Sequence, residues 1–447
     1  MKFSNFLKSK LKKIPINISI GKYISMLPYE YRLGVAKSYT NSKKELYFYQ
    51  KSSNEEKKYF IFKKFKKLVT HAYNNIPFYR NYYNENNFNI NQFKNYDDIK
   101  KIPIVNKKIL RSVKLNERSI YEFGAVKSNT GGTSGAPLDL YTPSIALGHE
   151  LAHLEFIWSH INFKKTDLRL ILVGRSDVKN YVEYDFLRHA LVVDIYADHN
   201  LIFKKLDYFL KKSNIRYLHG YPSAIYDFCC KLFSLNQSLY FKIKETLIGV
   251  IYNSEYPQEH MRNYIEKDIF NIKSQAFYGH TERCVLAYEN SDEYYRYKAI
   301  QTYGYCEVAE NNLIGTSYNN FASPLIRYDT EDQVNETIYK QNILESFYMN
   351  NGRNSDYILD FKHKKIPLTG LIFGRHHSLF NYCDYIQIFQ KNIGYATILY
   401  VLKKPISGFE PSSHFDESNI DMQFDYQEIN KPIKTKNGKN LLLVKKM

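Results

Sequence analysis

The chain has 447 residues, more than one small domain needs, and 44% of them are hydrophobic, enough for a large core. Its formal net charge is +18, yet the lysines are scattered in pairs rather than gathered in a block. That pattern suits solvated helix faces and argues against a nucleic-acid reader, whose basic-aromatic modules the sequence lacks.

The five cysteines (Cys229, Cys230, Cys284, Cys306 and Cys383) form no C-x-x-C pair. They read as buried thiols in a reducing compartment rather than as a zinc or redox site. His149, His153, His189 and His199 come with no third ligand at metal-site spacing. No apolar run approaches the ~20 residues that cross a bilayer. Met1 to Pro28 is basic but lacks the apolar centre of a signal peptide, so a cytoplasmic protein is expected. Lys2 to Ile20 can also lie on a membrane surface as an amphipathic helix.

Along the chain, Met1 to Lys51 shows no sustained periodicity and is expected to wrap over the main domain. Ser53 and Glu56 have capping-box spacing. The following helix carries Ile61, Phe65, Leu68, Val69 and Ala72 on one stripe, with Pro77 expected to end it. Asn81 to Asp98 reads as a loop or a short helix pair. Ser128-Asn129-Thr130-Gly131-Gly132-Thr133-Ser134-Gly135-Ala136-Pro137 places three glycines and four hydroxyl residues in ten positions. Such a turn can cradle phosphates on its backbone N–H groups and hydroxyls. It lacks the lysine of a Walker loop, and by itself it is equally a flexible linker or a β-turn.

Asp139–Tyr141 is strand-like, and Pro143 starts a helix with Leu147, Leu151, Leu154, Trp158 and Ile161 at helical spacing. An alternation follows. Strand-like runs are Leu168–Val173, Leu191–Tyr196, Ile215–Leu218, Thr246–Tyr252 and Ser274–Phe277, with helical stretches Leu201–Lys212, Pro222–Leu235 and Pro257–Phe270 between them. Several of these strands are nearly all apolar, as when both faces of a parallel sheet are covered. The expected fold class is α/β. A large N-terminal domain (1–351) holds mainly parallel sheets flanked by helices, with a helical wrapping segment (1–100) and a β-rich subdomain (293–351). A small mobile C-terminal α+β domain (352–447) follows, with a hinge at Asn351–Asp356. Ligands bind at the carboxyl ends of strands in such sheets, and Tyr278-Gly279-His280-Thr281-Glu282 follows one strand directly.

The glycine loop, Tyr278–Glu282, Arg327–Asp332, Gly352-Arg353 and Gly438-Lys439 occur in that order. Together they resemble the motif set of adenylate-forming enzymes, the superfamily of acyl-CoA ligases, peptide-synthetase adenylation domains and luciferase. His71–Arg80, Ile102–Lys107 and Gly220-Tyr221-Pro222-Ser223 resemble the phenylacetate–CoA ligase-like branch associated with capsular polysaccharide biosynthesis. The resemblance covers nearly the whole chain. It implies ATP and Mg2+ as cofactors and a carboxylic acid as substrate, activated as an acyl-adenylate. The acceptor would be coenzyme A, a carrier-protein thiol or an amino sugar, with peripheral association with membrane-bound polysaccharide machinery as one setting. No nucleic acid is expected as a partner.

Carried over by motif, Ser128, Thr130, Gly131, Gly132, Thr133, Ser134 and Gly135 would hold the phosphates, with Tyr278 and Gly279 at the nucleotide. Thr281 would touch the α-phosphate and Glu282 would ligate the metal; the plain alternative for Glu282 is a solvated or ion-paired glutamate at a strand end. Asp332 would hold the ribose, and Arg353 the ribose and phosphate side. Lys439 would neutralise charge during adenylation, although lysines near a C-terminus are usually solvated. His280 is placed in the acyl pocket or, as a plain alternative, in packing. Tyr252 and Glu255 fall by family position near the adenine and acyl pocket. Two positions depart from the pattern: Glu331 stands where the family has glycine, and Ser355 where it has Asp or Lys. These departures, and the charge, leave two other readings: a degenerate adenylate-binding protein with a structural role, and a basic nucleic-acid-binding protein.

Overall fold

The computed structural model describes residues 16–32, 34–130, 138–175, 178–349, 357–375, 377–433 and 441–444. Three short strands come first: Val105–Asn106 (β1), then Val126–Asn129 (β2) and Asp139–Thr142 (β3), which pair as an antiparallel hairpin. The core sheet holds Leu168–Val173 (β4), the antiparallel edge Val182–Asp185 (β5), Ala190–Asp194 (β6), Ile215–Gly220 (β7), Gly249–Tyr252 (β8) and Lys273–Gly279 (β9). β6, β4, β7, β8 and β9 lie side by side in that order, all parallel. The chain leaves β4 for one neighbour and returns to the other, the order of a doubly wound sheet with its switch point beside β4.

Alternate residues of these strands face two different layers. Leu170, Leu172, Leu218 and Val250 share a core cluster with Ile202, Phe203, Ile225, Phe228 and Leu239 of the helices His199–Leu210, Pro222–Leu235 and Gln237–Thr246. Tyr217 and Ile251 instead pack with Ile157 and Trp158 of the helix Ala146–Ser159. Covering on both faces accounts for the unbroken apolar strands.

Beyond β9 the sheet continues antiparallel through Leu286–Asn290 (β10), Glu293–Ala299 (β11), Tyr305–Ala309 (β12), Asn312–Thr316 (β13), Tyr328–Lys340 (β14) and Ile343–Met349 (β15). This is the β-rich texture expected after Glu293. A ribbon of Tyr357–Leu359 (β16) and Lys365–Pro367 (β17) leads to a separate sheet. That sheet contains Cys383–Asn392 (β18), Tyr395–Leu402 (β19), Gln423–Glu428 (β20) and Leu443–Val444 (β21), in the order β20-β19-β18-β21. The mixed α/β class agrees with the expectation; the expected hinge at Asn351–Asp356 lies outside the described residues.

Several local readings differ. The capping box forms as expected, Ser53 and Glu56 capping a helix that runs Asn54–Asn75. Pro77, however, opens a second helix, Pro77–Glu85, as its first residue, where a missing N–H costs nothing. Ala36–Lys51 is a regular helix within the segment read as lacking periodicity. The strand expected from Thr246 starts at Gly249, because Gln237–Thr246 is helical.

Candidate active site

The Tyr278–Glu282 motif straddles the end of β9. Its turn is tight: Arg283 N–H donates to the His280 carbonyl at 3.0 Å, and Arg283 takes a φ of 56°, a left-handed conformation. Arg283 also pairs with Glu150 at 3.1 Å, fastening the turn to the helix Ala146–Ser159. Thr281 is exposed at the tip, while the Glu282 and His280 side chains keep only 13% and 16% of their surface in solvent.

His280 bridges two groups. Its Nδ1 lies 3.2 Å from Glu282 Oε2, and its Nε2 lies 3.6 Å from the buried thiol of Cys284. Burial opposes charge on His280, but Cys284 and the Glu282 carboxylate outweigh it and raise its pKa well above the ordinary value. Burial raises the pKa of Glu282, yet His280 and Lys107 outweigh that and hold it below the usual carboxylate value. Lys107, only 7% exposed, comes from the Ile102–Lys107 stretch that sequence reading treated as a branch feature without a role. No local signal ties a lysine there to Glu282.

Asp332 reaches the same place from β14. The Tyr278 hydroxyl donates to Asp332 Oδ2 at 2.8 Å, joining two motifs 54 residues apart. Burial first, then the neighbouring Asp332 carboxylate, push the Tyr278 pKa well above its ordinary value, so this hydroxyl stays protonated as the donor. Glu331, where the resemblance expects a glycine, has φ 62°. Its N–H donates to Asp329 Oδ1 at 2.8 Å, and Asp332 N–H donates to Thr330 Oγ1 at 3.2 Å. The glycine-type turn is therefore kept with a glutamate in it.

The glycine loop itself, Gly131–Gly135 with Thr133 and Ser134, lies outside the described residues, as do Arg353 and Lys439. The neck of the loop is described. Thr130 N–H donates to the Leu138 carbonyl and Leu138 N–H donates to Thr130 Oγ1, both at 3.0 Å. Ser128 Oγ bonds Thr142 Oγ1 at 2.8 Å. Both candidate hydroxyls are thus engaged in closing the β2–β3 hairpin. β3 is tied sideways to the chain that enters β14: Tyr141 N–H donates to Ser323 Oγ at 2.8 Å and Asn320 Nδ2 donates to the Tyr141 carbonyl at 3.0 Å. A cavity of about 30 Å³, room for one water, lies between the hairpin and the motif turn, lined by Thr142, His149, Thr281, Glu282, Arg283 and Asn319.

The ends of the segment carrying Lys439 are pinned as well. Leu441 N–H donates to the Ile433 carbonyl at 3.2 Å. Gln387, fully buried on β18, bonds both Ile433 and Leu441. At the switch point, Gly174 after β4 meets Gly370 after β17; a Cβ on Gly174 would stand 2.6 Å from Gly370 Cα. Lys364 donates to the Ile195 and Ala197 carbonyls at 2.9 and 3.2 Å, and Asn419 to Asp194 at 2.6 Å. The ribbon and the segment before β20 therefore sit over the carboxyl end of β6.

Tyr252 and Glu255 follow β8. Tyr252 is buried, with the Arg262 guanidinium 5.5 Å from its ring centre. Glu255 Oε2 accepts from Ser223 Oγ at 2.6 Å and from Ser223 N–H at 3.3 Å. For a divalent cation, the described residues hold no group of three His, Cys, Asp or Glu. Magnesium needs only one or two carboxylates with phosphate and water completing its shell, so the ionised Glu282 fits a single-carboxylate site.

No family model matches the chain. It is 24% identical over 253 residues to the protein CapK of Staphylococcus aureus, covering 52% of this chain. It spans 54%, about half, of that relative's length. Among solved structures, 2-hydroxyisobutyryl-CoA ligase in its postadenylation state aligns with TM-score 0.53 at 13% identity, over 88% of this chain and 90% of that one. The same ligase with 2-HIB-AMP and CoA in the thioesterification state aligns with TM-score 0.52 at 14% identity, over 88% and 91%. No helix among the described residues is long and apolar enough to cross a membrane. With β9, its motif turn and Asp332 arranged as above, the chain has the fold of the adenylate-forming acyl-CoA ligases.

Proposed function

We propose that this protein is an ATP-dependent ligase that activates a carboxylic acid as an acyl-adenylate and passes the acyl group to a thiol or an amine. The observation that supports the reading is the Tyr278–Asp332 hydrogen bond of 2.8 Å, which joins the carboxylate that the resemblance assigns to the ribose to the strand leading into the Thr281 turn. In the first step an oxygen of the acid attacks the α-phosphorus, and the bond to pyrophosphate breaks. Thr281 would donate to the α-phosphate, and Asp332, held by Tyr278, would accept from the ribose hydroxyls. Preset donors of this kind stabilise charge where it develops, without reorganisation. Glu282 would hold Mg2+, which supplies charge neutralisation at the phosphates. Pyrophosphate would leave past the Ser128–Pro137 loop, with Arg353 on the ribose and phosphate side and Lys439 brought in by a mobile C-terminal domain.

The acceptor is coenzyme A, a carrier-protein thiol or an amino sugar. The likeness to CapK supports a place in surface-polysaccharide assembly, with a cytoplasmic enzyme working beside membrane-bound machinery. The left-handed Glu331 supports a retained turn at Asp332, which a ligase and a degenerate adenylate-binding protein both require, so the exchange assay below separates the two. ATP–pyrophosphate exchange across a panel of acids tests the reading: exchange that depends on one class of acid supports it, and ATP binding without exchange on any acid refutes it.

A further inference from the structure

One helix near the start of the chain turns its apolar side outward. Ile18–Met26 docks on the rest of the fold through a narrow, mostly small face: Ile18, Gly21 and Ser25 are buried. Gly21 lies so close to the Tyr184 side chain of β5 that a Cβ there would have no room. Asn17 caps the first turn, its side chain accepting from Ser19 N–H at 3.0 Å. Arg32 ties down the other end, donating to the carbonyls of Leu27, Ser25 and Leu187 at 3.1, 3.2 and 3.3 Å. With about 100° between successive residues, Ile20, Tyr23, Met26 and Leu27 fall on the side opposite the buried three. They are 58%, 73%, 49% and 46% exposed. Leu187, held to the same guanidinium, is exposed beside them. A surface helix normally turns such a stripe inward, and contiguous apolar surface left in water marks an interaction site.

The charge beside the stripe says what covers it. Lys2, Lys8, Lys10, Lys12 and Lys13 precede the helix, Lys22 is exposed on it, and no Asp or Glu occurs before Glu30. Glu30 is paired with Lys43 at 3.5 Å, and Asp185 of β5 with Arg188 at 2.7 Å. We propose that this helix docks the protein on an anionic lipid surface, with Ile20, Tyr23, Met26 and Leu27 entering the headgroup region and the lysines meeting the lipid phosphates. Interfacial helices bind in this way, through buried apolar area plus attraction to anionic lipid. Each lysine near an anionic leaflet strengthens binding about fivefold. A tyrosine suits the boundary, because its ring is apolar and its hydroxyl polar. A second copy of the chain fits less well, since pairing two such faces brings two lysine-rich segments together. None of these residues belongs to the adenylating site, so lipid docking stands or falls apart from the chemistry.

Flotation of the full chain with phosphatidylcholine vesicles, with and without phosphatidylglycerol, tests this. The wild type should bind the anionic vesicles at least about tenfold more tightly than the neutral ones, and added salt should weaken that binding. Ile20→Gln combined with Tyr23→Gln removes two apolar anchors and keeps every lysine. It should weaken binding to the anionic vesicles at least about tenfold. Both side chains are exposed, so the melting temperature should stay unchanged. Tyr23→Trp gives a second reading: its fluorescence should move to shorter wavelength on anionic vesicles. Binding that the paired glutamine variant retains in full would make the lysines alone responsible and overturn the docking face, as would a Tyr23→Trp protein that binds with no spectral shift. Equal binding to both vesicles, or binding to neither, also overturns the proposal. If the wild type binds neither and is a dimer that the glutamine pair splits, the face belongs to a second copy of the chain.

Discussion

Replacing Glu331 with glycine should make the protein more stable, although it deletes a side chain. Glu331 has φ 62°. A left-handed conformation costs a residue with a Cβ roughly 1–2 kcal/mol. Glycine removes that cost but gives up roughly 0.5–1 kcal/mol through its freer unfolded state. The difference leaves Glu331→Gly more stable by about 1 kcal/mol. Glu331→Ala is the control: it removes the same carboxylate but keeps the strain, so any gain from relieving negative charge appears in both variants. Urea denaturation followed by fluorescence, with wild type and both variants side by side, gives the comparison. Glu331→Gly should exceed Glu331→Ala by about 1 kcal/mol. A glycine variant no more stable than the alanine variant would refute the strain, and with it the view that this turn keeps its shape against its own sequence.

Acid should weaken the fold through buried neutral histidines. Burial lowers the pKa of His149 to about 4, and that of His189 likewise to about 4. The unfolded chain then takes up the proton first, so this stability is complete above the unfolded value near 6.5 and drains as pH falls toward 4. His149 alone accounts for about 2 kcal/mol by pH 5; denaturation midpoints that stay flat between pH 7 and 5 would contradict this. Tyr278→Phe removes the donor to Asp332 and should weaken AMP binding about tenfold, since a hydrogen bond to a charged group is worth roughly 1.5–3 kcal/mol; unchanged affinity by calorimetric titration would remove Tyr278 from the ribose side. Gly174→Ala would drive a Cβ to 2.6 Å from Gly370 Cα. The segment after β17 should lift from the switch point, measured as faster proteolysis after Lys364 or Lys365, and an unchanged digest would show that the contact is not close.

The parallel sheet was legible because covering on both faces writes itself into the strands: Leu168–Val173 is nearly all apolar and was read with its observed bounds. The capping box was legible because it is local. The helix Ala36–Lys51 was not, since it buries only Tyr39, Ser42 and Leu46 and docks through distant polar contacts. Ser42 bonds His149 at 2.7 Å, and Gly148 lets the helix approach so closely that a Cβ there would lie 2.4 Å from the Val35 carbonyl. At the site, motif order named Tyr278, Glu282 and Asp332, but not what joins them. The hydrogen bond from Tyr278 to Asp332 and the reach of Lys107 toward Glu282 arise from tertiary packing. No period or spacing in the chain encodes them.

The most direct test of the account is ATP–pyrophosphate exchange by the full chain, with and without carboxylic acids, in wild type and in Lys439→Ala. Acid-dependent exchange in the wild type that falls at least about a hundredfold in the variant, close to 3 kcal/mol of lost transition-state stabilisation, is the predicted result. ATP binding with no exchange on any acid would contradict it.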